Sequence, residues 1–207
     1  MRSNKLITRK EKGLLIRREL DLAQKASIVP KKLDREKAKL LKLIHENGYE
    51  VIRQWLVNQP ESAIDLSWFA MPGLVLPGID LSGAILNALS FSGGVLSGAN
   101  LTAASMYGAI GTKANLRGAI LSGANLSAAI LRGADLSGAK LVGADLSAAN
   151  LSDANLTNAN FAGAFMVGAY LVGAKIKGAN FEGAVMAGVR MSPGINIPRG
   201  AIIEQGE

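Results

Sequence analysis

The residues able to do acid–base or metal chemistry are few in this chain and lie far apart. Its 207 residues include no Cys and a single His, His45. This rules out thiolate chemistry and leaves little for a multi-histidine metal site or a serine–histidine relay. Asp80, Asp135, Asp145 and Asp153 are scattered, with no paired carboxylates or phosphate-binding glycine loop. We therefore expect no enzyme activity, no cofactor and no bound metal.

Basic side chains concentrate at the N-terminus. Residues 1–60 contain 15 Lys or Arg against 7 Asp or Glu, whereas residues 61–207 contain 8 against 9. Three interpretations stand: solvated helix faces, phosphate neutralisation on a nucleic acid, and contact with an acidic protein or an anionic membrane surface. The first is favoured and nucleic acid disfavoured, because no base-reading module accompanies the charges. The candidate partner-binding residues of this segment are Arg9, Lys10, Lys12, Arg17 and Arg18.

The basic segment, residues 1–60, is predicted to be an α-helical head. Residues 8–11 have the spacing of a helix capping box, and Pro30 ends the first helix. A second helix follows, with Gly48 as its C-terminal cap, and Pro60 ends a third short helix.

The rest of the chain has a period of five residues. From Leu76 to Met191, 24 central positions recur at this spacing, and Gly111 alone among them is not a large apolar residue. The residue two before the centre is Ala in 19 of the 24 repeats. This period matches neither a strand nor a helix. It predicts one extended step and one turn per repeat, wound into a solenoid.

This pattern resembles the pentapeptide-repeat family, whose consensus is roughly A(D/N)LXX. The resemblance implies an all-β solenoid: a right-handed, four-sided β-helix with one repeat per face and about six coils. Residues 61–191 are expected to form this β-helix, and residues 192–207, with Ile195, Ile197, Ile202 and Ile203, are expected to form a tail that caps its last coil. Phe91, one coil before Gly111 in the same inner column, is expected to fill the space that Gly111 leaves.

Large apolar residues also occupy positions predicted to face outward, where Asn, Ser and Thr are usual. The period places them on adjoining faces of the last coils, and such patches typically mark interfaces. A smaller pair lies in one column further up. Alternatively, the tail folds back over the larger patch. The candidate partner-binding residues of the β-helix are Phe165, Val167, Tyr170, Val172, Val185, Ile110 and Ile130.

These features predict a non-catalytic scaffold or linker protein, with the head gripping one protein and the β-helix presenting a surface to another. Since related proteins are common in cyanobacteria, the resemblance also suggests a large assembly such as a photosynthetic complex. A second hypothesis is topoisomerase or gyrase modulation by DNA mimicry, which relies on an acidic rod. Residues 76–191 instead carry five acidic and seven basic residues. A third hypothesis is direct binding of nucleic acid or an anionic surface by the head.

The sequence also predicts where the protein is found. It has no run of about 18 apolar residues, the length that a transmembrane helix needs. The apolar run 14–16 in the charged N-terminus is shorter than a secretory signal core. We expect the cytoplasm or an organelle stroma, not secretion.

Overall fold

The computed structural model describes residues 39–40, 42–44, 48–49, 51–52, 54, 64–193 and 198–203. The chain divides into two compact units, Met1–Asn58 and Gln59–Glu207. The candidate basic residues of the head, numbers 9 to 18, lie outside the described residues, as do most of the predicted head helices.

In the first unit, the described helical residues are 39–40, 42–44, 51–52 and 54. Leu40 and Ile44, one helical turn apart, are both buried, and so is Ile52. Gly48 follows with a φ of +77°. Its N–H donates to the carbonyl of Ile44 at 2.8 Å, which is the geometry of a helix C-terminal cap.

The second unit is a solenoid of short, identical steps. Each repeat contributes a single bridge residue, then an inward centre, then a two-residue turn. The bridges are parallel and join residues 20 apart, from Asp65↔Ile85 to Tyr170↔Arg190. Four columns of bridges result, one per face. We name the faces A to D after the bridge residues of the first coil: Asp65 for A, Ala70 for B, Val75 for C and Asp80 for D.

Hydrogen bonds explain why the repeat has five residues. In the repeat 134–138, the N–H of Ala134 closes a turn, and that of Asp135 donates to the preceding coil at 2.9 Å. The N–H groups of Leu136 and Gly138 donate to the following coil at 2.8 and 2.9 Å. The fifth donor, the N–H of Ser137, bonds to Oδ1 of Asp135 at 2.9 Å. All five backbone N–H groups of the repeat therefore have a hydrogen-bond acceptor, as buried backbone groups require.

The turn repeats with one geometry. The residue two after each centre has a positive φ at every repeat from Trp68 to Gly188. A positive φ at this position alone, with a hydrogen bond closing the turn, defines a type II turn and favours Gly. Non-glycine residues occupy the same left-handed conformation at Trp68, Ala88, Ala103, Lys113, Ala128, Ala148, Asp153 and Asn158.

The core consists of columns of centre and Ala side chains. Leu136 and Ala134 have no exposed surface, and their equivalents from Leu96 to Leu171 are nearly as buried. On face D the column ends in two aromatic rings, Phe161 and Phe181, stacked with centroids 5.0 Å apart. Because each centre points inward, the residues on either side of it point outward.

The tail continues face A with a shift of register. Ile202 pairs with Val185, 17 residues earlier instead of 20. The N–H of Gly183 donates to Gly200 at 2.7 Å, and that of Met186 donates to Ile202 at 2.8 Å. Residues 198–203 thus extend the ladder of this face. Ile195 and Ile197 lie outside the described residues.

Candidate protein-binding surfaces

The position just before each centre decides what an outward face presents. Every Asn or Asp there accepts a hydrogen bond from the backbone N–H two residues later, at 2.8 to 3.2 Å. In residues 64–190 this N–H donates to no backbone carbonyl. The Asn or Asp side chain thus caps the one backbone N–H of each repeat that makes no hydrogen bond to a backbone carbonyl, as in an Asx turn.

Polar side chains at this position also join neighbouring coils. Asn155 Nδ2 donates to Oδ1 of Asp135 at 3.1 Å on face C. On face D, Asn100 Nδ2 donates to Oδ1 of Asp80 at 3.0 Å. Faces C and D therefore carry polar side chains stacked between neighbouring coils, at Asp135 and Asn155 on face C and at Asp80 and Asn100 on face D.

Apolar residues at the same position give up the cap. Ile110, Ile130 and Phe165 offer no acceptor, and their side chains are 36%, 41% and 51% exposed. Each exposes apolar surface and also leaves a backbone N–H to water. A net protein hydrogen bond contributes about 0.5–1.5 kcal/mol, which is the stabilisation that the missing cap withholds at each of these positions. Exposed apolar side chains grouped together are expected where a surface serves binding.

Face A carries an apolar patch at its C-terminal end. Phe165, Val167 and Ile202 are 51%, 44% and 49% exposed, and Val185 is half-buried between them. The bridges Phe165↔Val185 and Val185↔Ile202 place three of these residues in one column. We call Phe165, Val167, Val185 and Ile202 the face A patch. Ala187, next to Val185, and the 49% exposed Ile203 beside Ile202 are also uncharged, whereas Asp145, the bridge partner of Phe165, bounds the patch on its other side.

The described tail enlarges this patch. Ile202 takes the next place in the column after Val185 and leaves Phe165 half-exposed. The alternative of a tail folded back over Phe165 is therefore wrong for residues 198–203. The reason is that the backbone of Ile202 hydrogen-bonds to Ala184 and Met186 at the edge of the ladder.

Face B holds the remaining candidates of the sequence analysis. Tyr170 is half-buried because the guanidinium of Arg190, the next residue in its column, lies 4.8 Å from its ring centroid. Val172 beside it is 45% exposed. Higher up the same column, Ile110 and Ile130 are bridge partners. Tyr170 and Val172 thus belong to a different face from Phe165, Val167 and Val185.

Several exposed apolar residues lie outside the candidates predicted from the sequence. Tyr107 on face A is 57% exposed, and Val142 on face D is 43% exposed. Both directly follow a centre, so the five-residue frame could have identified them. Ile202, in contrast, lies in a tail without the Ala-and-Leu pattern, and only its pairing reveals its place.

Charges on the solenoid are mixed and mostly exposed. Arg132 Nε donates to Oδ2 of Asp153 at 3.2 Å across two coils of face B. The backbone N–H of Ser82 holds the pKa of Asp80 below its ordinary value of 3.8, aided by the Ser82 side chain and Asn100. Burial alone raises the pKa of Asp135, but hydrogen bonds from Ser137 and the charge of Arg117 outweigh it and lower that pKa.

Two negative findings concern the part of the chain that the structure describes. No helix there combines the length and apolar character needed to cross a membrane. No group of three His, Asp or Glu side chains there is placed to hold a metal ion.

Comparisons with known proteins identify the family. The sequence profile of pentapeptide repeats matches in eight copies, over residues 79–110, 112–147 and 149–188. No curated protein matches.

Three solved structures illustrate the likeness. HetL, a pentapeptide repeat protein involved in heterocyst differentiation regulation in the cyanobacterium Nostoc sp. strain PCC 7120, is 26% identical over 74% of this chain and 91% of its own (TM-score 0.27). AT2G44920, from the Arabidopsis thaliana thylakoid lumen, is 39% identical over 57% and 69% (TM-score 0.29). QnrB1, a plasmid-mediated fluoroquinolone resistance protein, is 17% identical over 69% and 93% (TM-score 0.36). The profile covers more than half of the sequence, and the chain therefore belongs to the pentapeptide-repeat family.

Proposed function

We propose that this protein is a non-catalytic scaffold whose right-handed, four-sided β-helix of about six coils binds a protein partner through the face A patch. The α-helical head, residues 1–60, binds a second, acidic partner through Arg9, Lys10, Lys12, Arg17 and Arg18. The protein thereby links two components of a larger assembly in the cytoplasm or an organelle stroma. The domain limits follow the change in charge and pattern near Pro60 and near Met191.

The observation that carries this proposal is the chemistry of the face A patch. Phe165 stands where Asn125 and Asp145 cap the backbone in earlier coils of the same column. In its place the chain exposes half of an aromatic ring, and Val167 and Ile202 are exposed beside it. Aromatic residues, Phe among them, are enriched at the cores of protein–protein interfaces.

DNA mimicry is less well supported by the surface. A DNA-like surface requires rows of negative charge, and the outward column of face A that contains Phe165 holds two acids, Asp65 and Asp145. On face C, Asp135 lies close to Arg117, whose charge acts on it, and Lys175 is further along the same column. Residues 76–191 have a net charge of +2 from five acids and seven bases. This pattern favours a partner with an apolar contact surface.

The decisive variant is Phe165→Asn, which restores the family's usual residue. The new Asn can cap the N–H of Val167, so we expect the melting temperature to be unchanged or slightly higher. Loss of an aromatic anchor typically costs about 2 kcal/mol or more of binding free energy, which is roughly a 30-fold weaker Kd. Ile85→Asn makes the same kind of change in the same column, four coils away, and is the matched control.

The measurement has two stages. Partners are captured from the native lysate by the wild-type protein with cross-linking, and the Kd of the recovered partner is then measured for each variant. Unchanged affinity of Phe165→Asn, with Ile85→Asn as reference, would show that the face A patch does not bind this partner.

The head is tested separately. Deletion of residues 1–30, which hold 8 of the 23 basic residues, is expected to leave the β-helix folded and to abolish a salt-sensitive interaction. Rising ionic strength screens exposed charges over about 10 Å at 0.1 M. Partner binding that persists after the deletion, or that ignores salt, would remove the head from the proposal.

A further inference from the structure

Face B carries two apolar positions at equal distances from the boundary between residues 124–143 and 144–163, the two coils that hold Ile130 and Asn150. Ile110 and Tyr170 lie in its bridge column, three coils apart. Coils joined by β-type hydrogen bonds rise about 4.8 Å each, so the two side chains are separated by about 14 Å along the coil axis. Val172 lies next to Tyr170, and its side chain is 45% exposed.

The two coils between them carry a matched pair of opposite charges. Arg132 belongs to the coil after Ile110, and Asp153 belongs to the coil before Tyr170. Arg132 Nε lies 3.2 Å from Oδ2 of Asp153, and the side chains remain 65% and 56% exposed. Each therefore retains surface that can meet a second charged group.

We propose that face B binds face B of a second copy of this chain, with the two coil axes antiparallel. A two-fold axis perpendicular to the coils, passing between residues 124–143 and 144–163, maps the column of Ile110 and Tyr170 onto itself in reverse order. Ile110 then opposes the partner's Tyr170, and Tyr170 opposes the partner's Ile110. The pairing is isologous, so one apolar match implies the other.

The charges select the antiparallel arrangement. In the antiparallel pair, the coil of Arg132 lies over the coil that holds the partner's Asp153. By symmetry, the coil of Asp153 lies over the coil that holds the partner's Arg132. Each Arg then has an acid of its own chain and one of the partner chain within reach. A parallel two-fold pair sets Arg132 at the height of the partner's Arg132, where like charges repel.

Faces C and D lack this complementary pair of charges at the centre. On face C the outward positions over the same coils include Arg117, Asp135 and Lys175, and on face D they include Lys140. Face B has four bridge positions in these coils, and Asn150 is the one whose side chain caps a backbone N–H. The other three are Ile110, Ile130 and Tyr170. Over these coils face B also holds Arg132, Asp153 and Lys113, so the cost of removing these charges from water has to be offset by the contacts of Arg132 with the partner's Asp153.

This inference goes beyond the proposed function and does not depend on it. The face A patch lies on another side of each coil and stays available in the pair, which would then present two copies of it. Phe165→Asn tests partner binding, whereas the variants below change face B alone, so the two proposals can fail independently.

The first experiment exchanges charges between copies. Arg132→Glu and Asp153→Arg are each expected to weaken self-association at least tenfold, measured by sedimentation equilibrium at low salt. An equimolar mixture of the two variants is expected to restore it. The introduced acid of one chain then meets the introduced base of the other, and the native Asp153 of the first chain meets the native Arg132 of the second. Thermal melting of each variant checks that the exposed substitutions leave the fold intact.

The second experiment fixes the register. The native sequence has no Cys, so single cysteines report one contact each. Thr112→Cys and Val172→Cys occupy opposed places in the antiparallel pair, and oxidation of their mixture is expected to give a disulfide between unlike chains. Self-linking of Thr112→Cys alone, a mixture that does not restore the charge-swapped pair, or a wild-type chain that stays monomeric at high concentration would each overturn the proposal.

Discussion

The ring of Phe91 occupies the space that Gly111 leaves in the next coil of the same inner column. A Cβ on Gly111 would lie 2.5 Å from Cζ of Phe91 and 3.0 Å from Cδ2 of Leu131. Gly111 is thus a compensating residue that makes room for an aromatic side chain in a column of leucines, as the sequence had indicated.

This pair predicts a rescue between two substitutions. Gly111→Leu alone is expected to destabilise the fold by about 1–3 kcal/mol or more, because it overpacks the site. Phe91→Leu combined with Gly111→Leu restores the usual column and is expected to regain most of that loss. Chemical denaturation of the single and double variants measures the coupling, and additive effects would contradict the packing described.

Inward and outward positions are expected to differ sharply in tolerance. Leu136 has no exposed surface, and Leu136→Asp places an unpaired charge in the core, which should prevent folding. Ser122→Asp lies on an outward face without a neighbouring acid in its column and is expected to cost well under about 1 kcal/mol. Circular dichroism melting curves compare the two, and equal losses would invert the assignment of faces.

Turn strain offers a stabilising substitution. Ala128 has a φ of +56°, a conformation that costs a non-glycine residue about 1–2 kcal/mol. Ala128→Gly is expected to raise stability by a fraction of this, since Gly also gains freedom in the unfolded chain. The adjacent Ala129 is fully buried, and Ala129→Gly is the control that should destabilise. A lower melting temperature for Ala128→Gly would contradict the strain.

Acid is expected to weaken the fold through Asp80 and Asp135. Both have a pKa below the ordinary value of 3.8, so the folded state favours their charged forms. Their contribution is complete above the ordinary pKa and is lost as the pH falls through the lower folded values. Asp80→Asn with Asp135→Asn keeps the capping oxygens but removes the titration. Denaturant midpoints measured from mildly to strongly acidic pH should therefore fall less for this variant than for the wild type.

The solenoid was largely predictable because its five-residue frame is unbroken. Once Leu136 is assigned to the interior, the five-residue period assigns every other residue to the interior or to one of the four faces. The pairs Phe165–Val185 and Ile110–Ile130 then follow, because their members are one coil of 20 residues apart. The pentapeptide-repeat resemblance is confirmed by the profile match. The Asx caps could also have been derived, since the Asn or Asp lies two residues before the free donor.

Features that depend on local geometry could not be predicted from the five-residue spacing. The register shift that brings Ile202 beside Val185 occurs where the Ala-and-Leu pattern has ended. The stacking of Arg190 on Tyr170 depends on the side-chain rotamer of a long residue, which spacing does not determine. The candidate residues of the head lie outside the described residues and stay predictions.

Because Asn and Asp just before a centre cap an outward backbone N–H, they can be substituted without changing the packing of the interior. Exchanging one such residue for an apolar one forfeits a single bond to a solvent-accessible donor, while the inner columns and the ladder remain as they were. A binding site can therefore arise at any height on any face through one or two substitutions. Proteins built on such a repeat can acquire new binding partners through a few surface substitutions, while the inner residues that determine the fold stay the same.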